Sequence, residues 1–116
     1  MPPPPRILVV DDEPASRQAL AELLTDEGYR VDTAGDGRAA LSRLDQAPVD
    51  VLVTDLQIPS MGGLELVRRA RAQGSRARMI VISAYEPAAS RLVAAPVEFV
   101  LKPIDLALLL RLLAAS

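Results

Sequence analysis

Short apolar runs alternate with longer amphipathic stretches along this chain. The runs are Ile7–Val10, Val49–Val53, Met79–Ile82 and Phe99–Leu101. Each is continuous rather than alternating and is built mostly from β-branched or aliphatic residues. That is the pattern of strands covered on both faces, as in a parallel sheet. Arg30–Ala34 (RVDTA) alternates polar and apolar and reads as an edge strand. Helical patterns lie between these runs. Pro14–Glu27 sets Leu20, Leu23 and Leu24 on one face, with Pro14 in its first turn and Gly28 as its stop. Arg38–Gln46 brings Leu41 and Leu44 together, and Leu64–Gln73 brings Leu66, Val67 and Ala70 together before Gly74. A short helix is expected over Ala88–Ala95, limited by Pro87 and Pro96, and a last one over Asp105–Ala115 with Asp105 as its N-cap. Strands joined by single helices run parallel with right-handed crossovers. The expected fold is therefore α/β: a doubly wound, five-stranded parallel sheet with helices on both faces.

A length of 116 residues fits one domain. Half of the residues are apolar but only 3% are aromatic, so the core must be aliphatic. The chain has no cysteine and no histidine, which removes disulfides, thiolate chemistry, Ser-His triads and the commonest zinc sites. Any metal must be hard and held by oxygen. A net charge of −2 argues against direct nucleic-acid binding by this domain. No apolar run approaches the ~18 residues of a membrane span. Met1–Pro5 is proline-rich and lacks the apolar segment of a signal peptide. A soluble cytoplasmic protein with no membrane contact is expected.

In open α/β sheets, ligands bind beyond the carboxyl ends of the strands. Asp11 and Asp12 follow the first apolar run, Thr54 and Asp55 the one at 49–53, Ser83 the one at 79–82, and Lys102 the last. Lys102 is the one lysine among 13 basic residues. Taken singly, each has a plain structural reading: a turn and helix cap at Asp11-Asp12, a loop aspartate at 55, a strand-end serine. Together they place three carboxylates, a hydroxyl and an ammonium on one edge of the sheet. Each carboxylate pair at close range repels by roughly 4 kcal/mol at an effective dielectric near 20. Lys102 offsets part of this, and a divalent cation would offset the rest. With oxygen donors only, Mg²⁺ is the natural ion, with Mn²⁺ as a substitute.

These residues and their surroundings resemble the CheY-like receiver domains of bacterial two-component response regulators. The matching segments are ILVVDDE at 7–13, VLVTDLQIPSMGGLEL at 51–66, VISA at 81–84 and FVLKP at 99–103, and the resemblance covers about residues 6–115. It implies a flavodoxin-like strand order, 2-1-3-4-5. It implies that Asp55 accepts a phosphoryl group from the phosphohistidine of a sensor histidine kinase or phosphotransfer domain, and that the response is a switch of the output face. It also implies direct Mg²⁺ ligation by Asp12 and Asp55, ligation by Asp11 mainly through water, and a further ligand in the backbone carbonyl of Gln57. Lys102 is expected to pair first with Asp55 and then with the phosphoryl group. Ser83 is expected to bond a phosphoryl oxygen, and Phe99 to be the switch aromatic. No turnover of a separate substrate is expected, only self-phosphorylation and its reversal. A flavodoxin-like cofactor binder would need a phosphate-cradling Gly- or Ser/Thr-rich loop where this chain has Asp11-Asp12-Glu13. A pseudo-receiver would have lost the acid pair, the acceptor or the lysine.

Four features depart from the family pattern or refine it. Gly62 stands where an aspartate usually precedes the third helix, so a looser loop is expected. The segment from Ser83 to Lys102 is about one helical turn short, which predicts a short or irregular fourth helix and an altered output surface. The last helix carries leucines all round (LALLLRLL at 106–113), which suggests a homodimer partner or an output domain against it. Tyr85 and Gln57 border the expected path of the hydrolytic water, so Tyr85 is expected to shield the acyl phosphate. The early stop within the last helix favours a single receiver domain, residues 1–116, excised from a longer regulator. Its target is not named by any residue here.

Overall fold

The computed structural model describes residues 3–84 and 97–115. The described residues form five strands and four helices: β1 (Arg6–Val10), α1 (Pro14–Asp26), β2 (Arg30–Ala34), α2 (Gly37–Gln46), β3 (Val51–Asp55), α3 (Gly63–Ala72), β4 (Arg78–Ser83), β5 (Glu98–Leu101) and α4 (Leu106–Ala114). All neighbouring strands pair in parallel, in the order β2-β1-β3-β4-β5. The expected fourth helix at 88–95, and Tyr85, lie outside the described residues.

The continuous apolar runs of β1, β3 and β4 are explained by burial on both faces of the sheet. The run at Phe99–Leu101 instead forms the second edge strand, β5, and its Leu101 is exposed. Along each strand, alternate residues enter different clusters. Leu8, Leu52, Met79 and Val81 pack with Ala40 of α2 and with Leu66, Val67 and Ala70 of α3. Ile7, Val9, Val53 and Ile80 pack with Leu20 and Leu24 of α1 and with Leu109 and Leu113 of α4. β2, with its alternating sequence, is an edge strand, as its pattern predicts.

Most element bounds shift by a residue or two from the sequence reading, and the shifts at β3 and β4 bear on the site. β3 starts at Val51 rather than Val49 and runs on through Asp55, because pairing with β4 continues to Asp55 opposite Ile82 and the Leu56 N–H then donates to the Ile82 carbonyl. Asp55 and Ser83 are therefore the last residues of their strands, not the first residues after them. In α1, Leu20 and Leu24 are buried but Leu23 is 45% exposed. The buried stripe is centred on the i, i+4 pair, and Leu23 falls on its outer edge.

The helix starts are chemically marked. The Asp36 carboxylate accepts from the Ala39 N–H at 2.7 Å and caps α2, and the Asp105 carboxylate accepts from the Leu108 N–H at 3.1 Å and caps α4. Gly62 precedes α3 with φ 74° and ψ 158° and offers no side-chain cap. That backbone region is almost reserved for glycine. At the far end of the sheet, Arg78 forms a forked ion pair with Glu98, its Nη2 donating to Glu98 Oε2 at 2.8 Å, while its Nη1 donates to the Leu112 carbonyl of α4. This arginine thus ties the starts of β4 and β5 to the end of the last helix.

Candidate functional site

The carboxyl ends of β1, β3, β4 and β5 converge on a cleft of about 510 Å³. It is lined by Asp11, Asp12, Asp55, Gln57, Ser83 and Lys102, among others, so the polar residues expected there from the strand ends meet in one place. Phe99 does not line it. It is half-buried opposite Val81 on β4 and packs into the cluster beneath α2 and α3.

Asp55 is the recessed carboxylate of the group, with a side chain only 12% exposed. Lys102 Nζ lies 3.3 Å from its Oδ1 and is itself half-exposed. Lys102 is placed by its own backbone, whose N–H donates to the Ser83 carbonyl at 2.8 Å, and the peptide that follows it, to Pro103, is cis. The Asp55 carboxyl is pushed up from its ordinary 3.8 to about 6. Burial is the main cause, followed by the charge of Asp11 and a hydrogen bond with it, while Lys102 pulls the other way. A site that holds its central carboxylate this uneasily favours a cation beside it.

The donor set fits such a cation. Asp11, Asp12 and Asp55 each offer a carboxylate oxygen, and these oxygens lie within 4.8 Å of one another. Octahedral Mg²⁺ binds oxygens at about 2.1 Å, keeps several waters and needs few protein carboxylates. Asp12 is exposed and Asp11 partly so, which leaves room for those waters. Asp11 is oriented by the Glu13 N–H, which donates to its Oδ1 at 3.0 Å.

Two residues that hold Asp55 were not singled out from the sequence. Thr54 is fully buried and its hydroxyl donates to the Asp55 carbonyl at 3.0 Å. Gly63 opens α3 directly against that carbonyl: a Cβ there would stand 2.3 Å from the Asp55 oxygen and 3.0 Å from Leu56 Cα. The Gly-Gly pair at 62–63 was the available signal, since a second glycine after a turn glycine often marks close backbone approach.

The fold and the acidic cleft at its carboxyl edge are those of a receiver-type signalling domain, and comparison with known proteins agrees. Residues 7–114 match the response regulator receiver domain, and the chain belongs to that family. It is similar to the transcriptional regulatory protein TcrA of Mycobacterium tuberculosis, at 46% identity over 68 residues, 59% of this chain and 27% of that protein. The chain spans about a quarter to a half of the length of the curated relatives it matches. Among solved structures, the chemotaxis protein CheY4 of Vibrio cholerae superposes with a TM-score of 0.87 at 30% identity, covering 97% of this chain and 98% of that one. The response regulator TrrA of Thermotoga maritima, in complex with Mg²⁺–BeF, gives 0.83 at 33% identity, covering 96% and 97%. Among the described residues no helix is long and apolar enough to cross a membrane.

Proposed function

We propose that this receiver takes a phosphoryl group onto Asp55 from the phosphohistidine of a sensor histidine kinase or phosphotransfer domain. The observation that carries the reading is one recessed carboxylate standing 3.3 Å from a lysine ammonium and within 4.8 Å of two further carboxylates. An Asp55 oxygen bonds to phosphorus as the P–N bond of the donor breaks. The electron pair leaves on the imidazole nitrogen, which takes up a proton, and the product is an acyl phosphate. Positioning and charge neutralisation dominate such transfers. Mg²⁺, when bound, would neutralise negative charge shared by the carboxylates and the incoming phosphoryl group, and Mn²⁺ would substitute for it. We assign its ligands as Asp12 and Asp55 directly, Asp11 through water, and the backbone carbonyl of Gln57. Lys102 holds Asp55 before transfer and the phosphoryl oxygens after it.

The new charge then draws the Ser83 hydroxyl inward, and Phe99 turns toward the space vacated, biasing a two-state output face. In this reading the chain modifies and restores itself, with no turnover of a separate substrate, and acts in the cytoplasm. Residues 1–116 form one receiver domain that passes its signal to an output domain or target protein. Leu106 and Leu108 of α4 are only partly buried, which supports a second contact on that helix, with an output domain or a second copy.

The test is incubation with Mg²⁺ and acetyl phosphate, read by intact-mass spectrometry. A gain of one phosphoryl group is expected, absent in Asp55→Asn and in EDTA. No gain in the parent chain would make this a pseudo-receiver.

A further inference from the structure

One charged side chain beside the acid pair has no role in the reading above. Arg17, in the first turns of α1, is half-buried although Ala15, Ser16 and Gln18 around it are exposed. Its Nη1 reaches back to donate to the main-chain carbonyl of Asp11 at 2.8 Å. The same residue is held from two other directions: its N–H donates to the Ala34 carbonyl at 3.2 Å, and its Oδ1 accepts from the Glu13 N–H.

The held carbonyl belongs to the Asp11–Asp12 peptide. Successive side chains of an extended strand point to opposite faces. If β1 simply continued, Asp11 and Asp12 would diverge across the sheet. Their carboxylate oxygens instead lie within 4.8 Å of each other and of Asp55. The orientation of the peptide between them decides whether they converge.

We propose that Arg17 is a positioning residue for the cation site: by holding the Asp11 carbonyl it sets the Asp11–Asp12 peptide and so brings both carboxylates toward Asp55. The inference rests on the reading of the cleft as a Mg²⁺ site. A second element supports it. A Cβ built on Gly35, in the loop after β2, would stand 3.1 Å from Arg17 Nη1. Gly35 is not among the positive-φ glycines Gly28, Gly62 and Gly74. Its backbone therefore does not demand glycine, and the missing side chain leaves the guanidinium its place. Arginine suits the task through its reach and its fixed fork of donors, which a lysine reproduces only in part.

The experiment measures Mg²⁺ affinity of the full chain by titration calorimetry, with folding checked by circular dichroism. Arg17→Ala is expected to weaken Mg²⁺ binding about tenfold, as loss of a ligand's supporting partner does, and Arg17→Lys to recover part of that loss. Gly35→Ala is expected to weaken binding in the parent chain and to change nothing in the Arg17→Ala background, where the guanidinium it would crowd is already gone. Should Arg17→Ala fail to fold, Gly35→Ala and Arg17→Lys decide the matter: parental affinity in both overturns the proposal. An Arg17→Ala affinity within about twofold of the parent, or a Gly35→Ala loss that adds in full to it, overturns the proposal and leaves the Mg²⁺ site standing. A parent chain that binds no Mg²⁺ overturns the reading of the cleft and this inference with it.

Discussion

Lys102 and Asp55 meet across β4: the lysine follows β5, the aspartate ends β3, and their charged atoms stand 3.3 Å apart at the carboxyl edge of the sheet. The pair is lopsided, with the lysine side chain 50% exposed and the aspartate 12%. A compact ammonium on a flexible stem can follow negative charge from the carboxylate to a phosphoryl group, whereas a planar guanidinium carries its fork with it. Lys102→Arg is therefore expected to keep Mg²⁺ affinity within about threefold and to slow phosphoryl uptake about tenfold or more. A time course with acetyl phosphate checks this, and parental uptake by the arginine variant would contradict it.

The raised Asp55 pKa fixes a pH dependence for the metal-free protein. A folded-state pKa of about 6 against an ordinary 3.8 means that the folded form prefers the neutral acid. Its stabilising contribution is complete below about 3.8 and is lost as pH rises through about 6. Asp55→Asn removes the penalty, so in EDTA the variant should exceed the parent in stability above this range by on the order of 1–3 kcal/mol. The gap should narrow toward acid and shrink when Mg²⁺ is added. Urea unfolding at several pH values measures it, and a gap that does not vary with pH would refute the account.

Gly63 and Gly62 separate two kinds of damage. A methyl on Gly63 meets the Asp55 carbonyl at 2.3 Å, and backbone must yield. Gly63→Ala is expected to lose on the order of 1–3 kcal/mol and to displace Asp55, so that phosphoryl uptake by the folded fraction falls. At Gly62 the nearest contact of a new Cβ is an ordinary 3.7 Å and the cost comes from its positive φ. Gly62→Ala should lose a similar 1–3 kcal/mol or so while uptake by the folded fraction stays unchanged. Equal uptake by the two variants would be the contrary result.

Arg78 should matter more than an isolated surface ion pair, because its fork on Glu98 is joined by a bond to the Leu112 carbonyl. Both partners are partly exposed, so the expected coupling in a double-mutant cycle of Arg78→Ala and Glu98→Gln is about 1 kcal/mol. Arg78→Ala alone should cost more than Glu98→Gln, since it also leaves a helix carbonyl without that donor. The reverse ranking in urea unfolding would remove the brace to α4 from the explanation.

The three inner strands were legible in the residues because burial on both faces leaves unbroken runs such as ILVV, and the edge strand RVDTA does not; β5, the other edge, carries an unbroken FVL and does not follow the rule. The cleft was legible for the same reason: once the strands are parallel, Asp11, Asp55, Ser83 and Lys102 must share one edge. The end of β3 was not, because pairing with β1 reaches Thr54 and pairing with β4 then carries the strand one residue further to Asp55. Leu23 looked interior by spacing, yet which flank of an apolar stripe faces the sheet depends on how α1 is docked. Arg17 and Gly35 were silent for a different reason. Their meaning lies in close approaches between segments, 6 residues apart for Arg17 and Asp11, which no local period encodes.

The division of the interior by the sheet carries a consequence for engineering. Leu52 and Val53 are adjacent in sequence but belong to opposite compartments, the first with Met79 and Leu66, the second with Ile80 and Leu109. The strands act as a bulkhead. Volume removed on one side is felt by neighbours on that side, so substitutions at Leu52 and Met79 should couple, while those at Leu52 and Leu109 should add. The leucine-rich last helix could therefore be redesigned without repacking the compartment that holds Phe99.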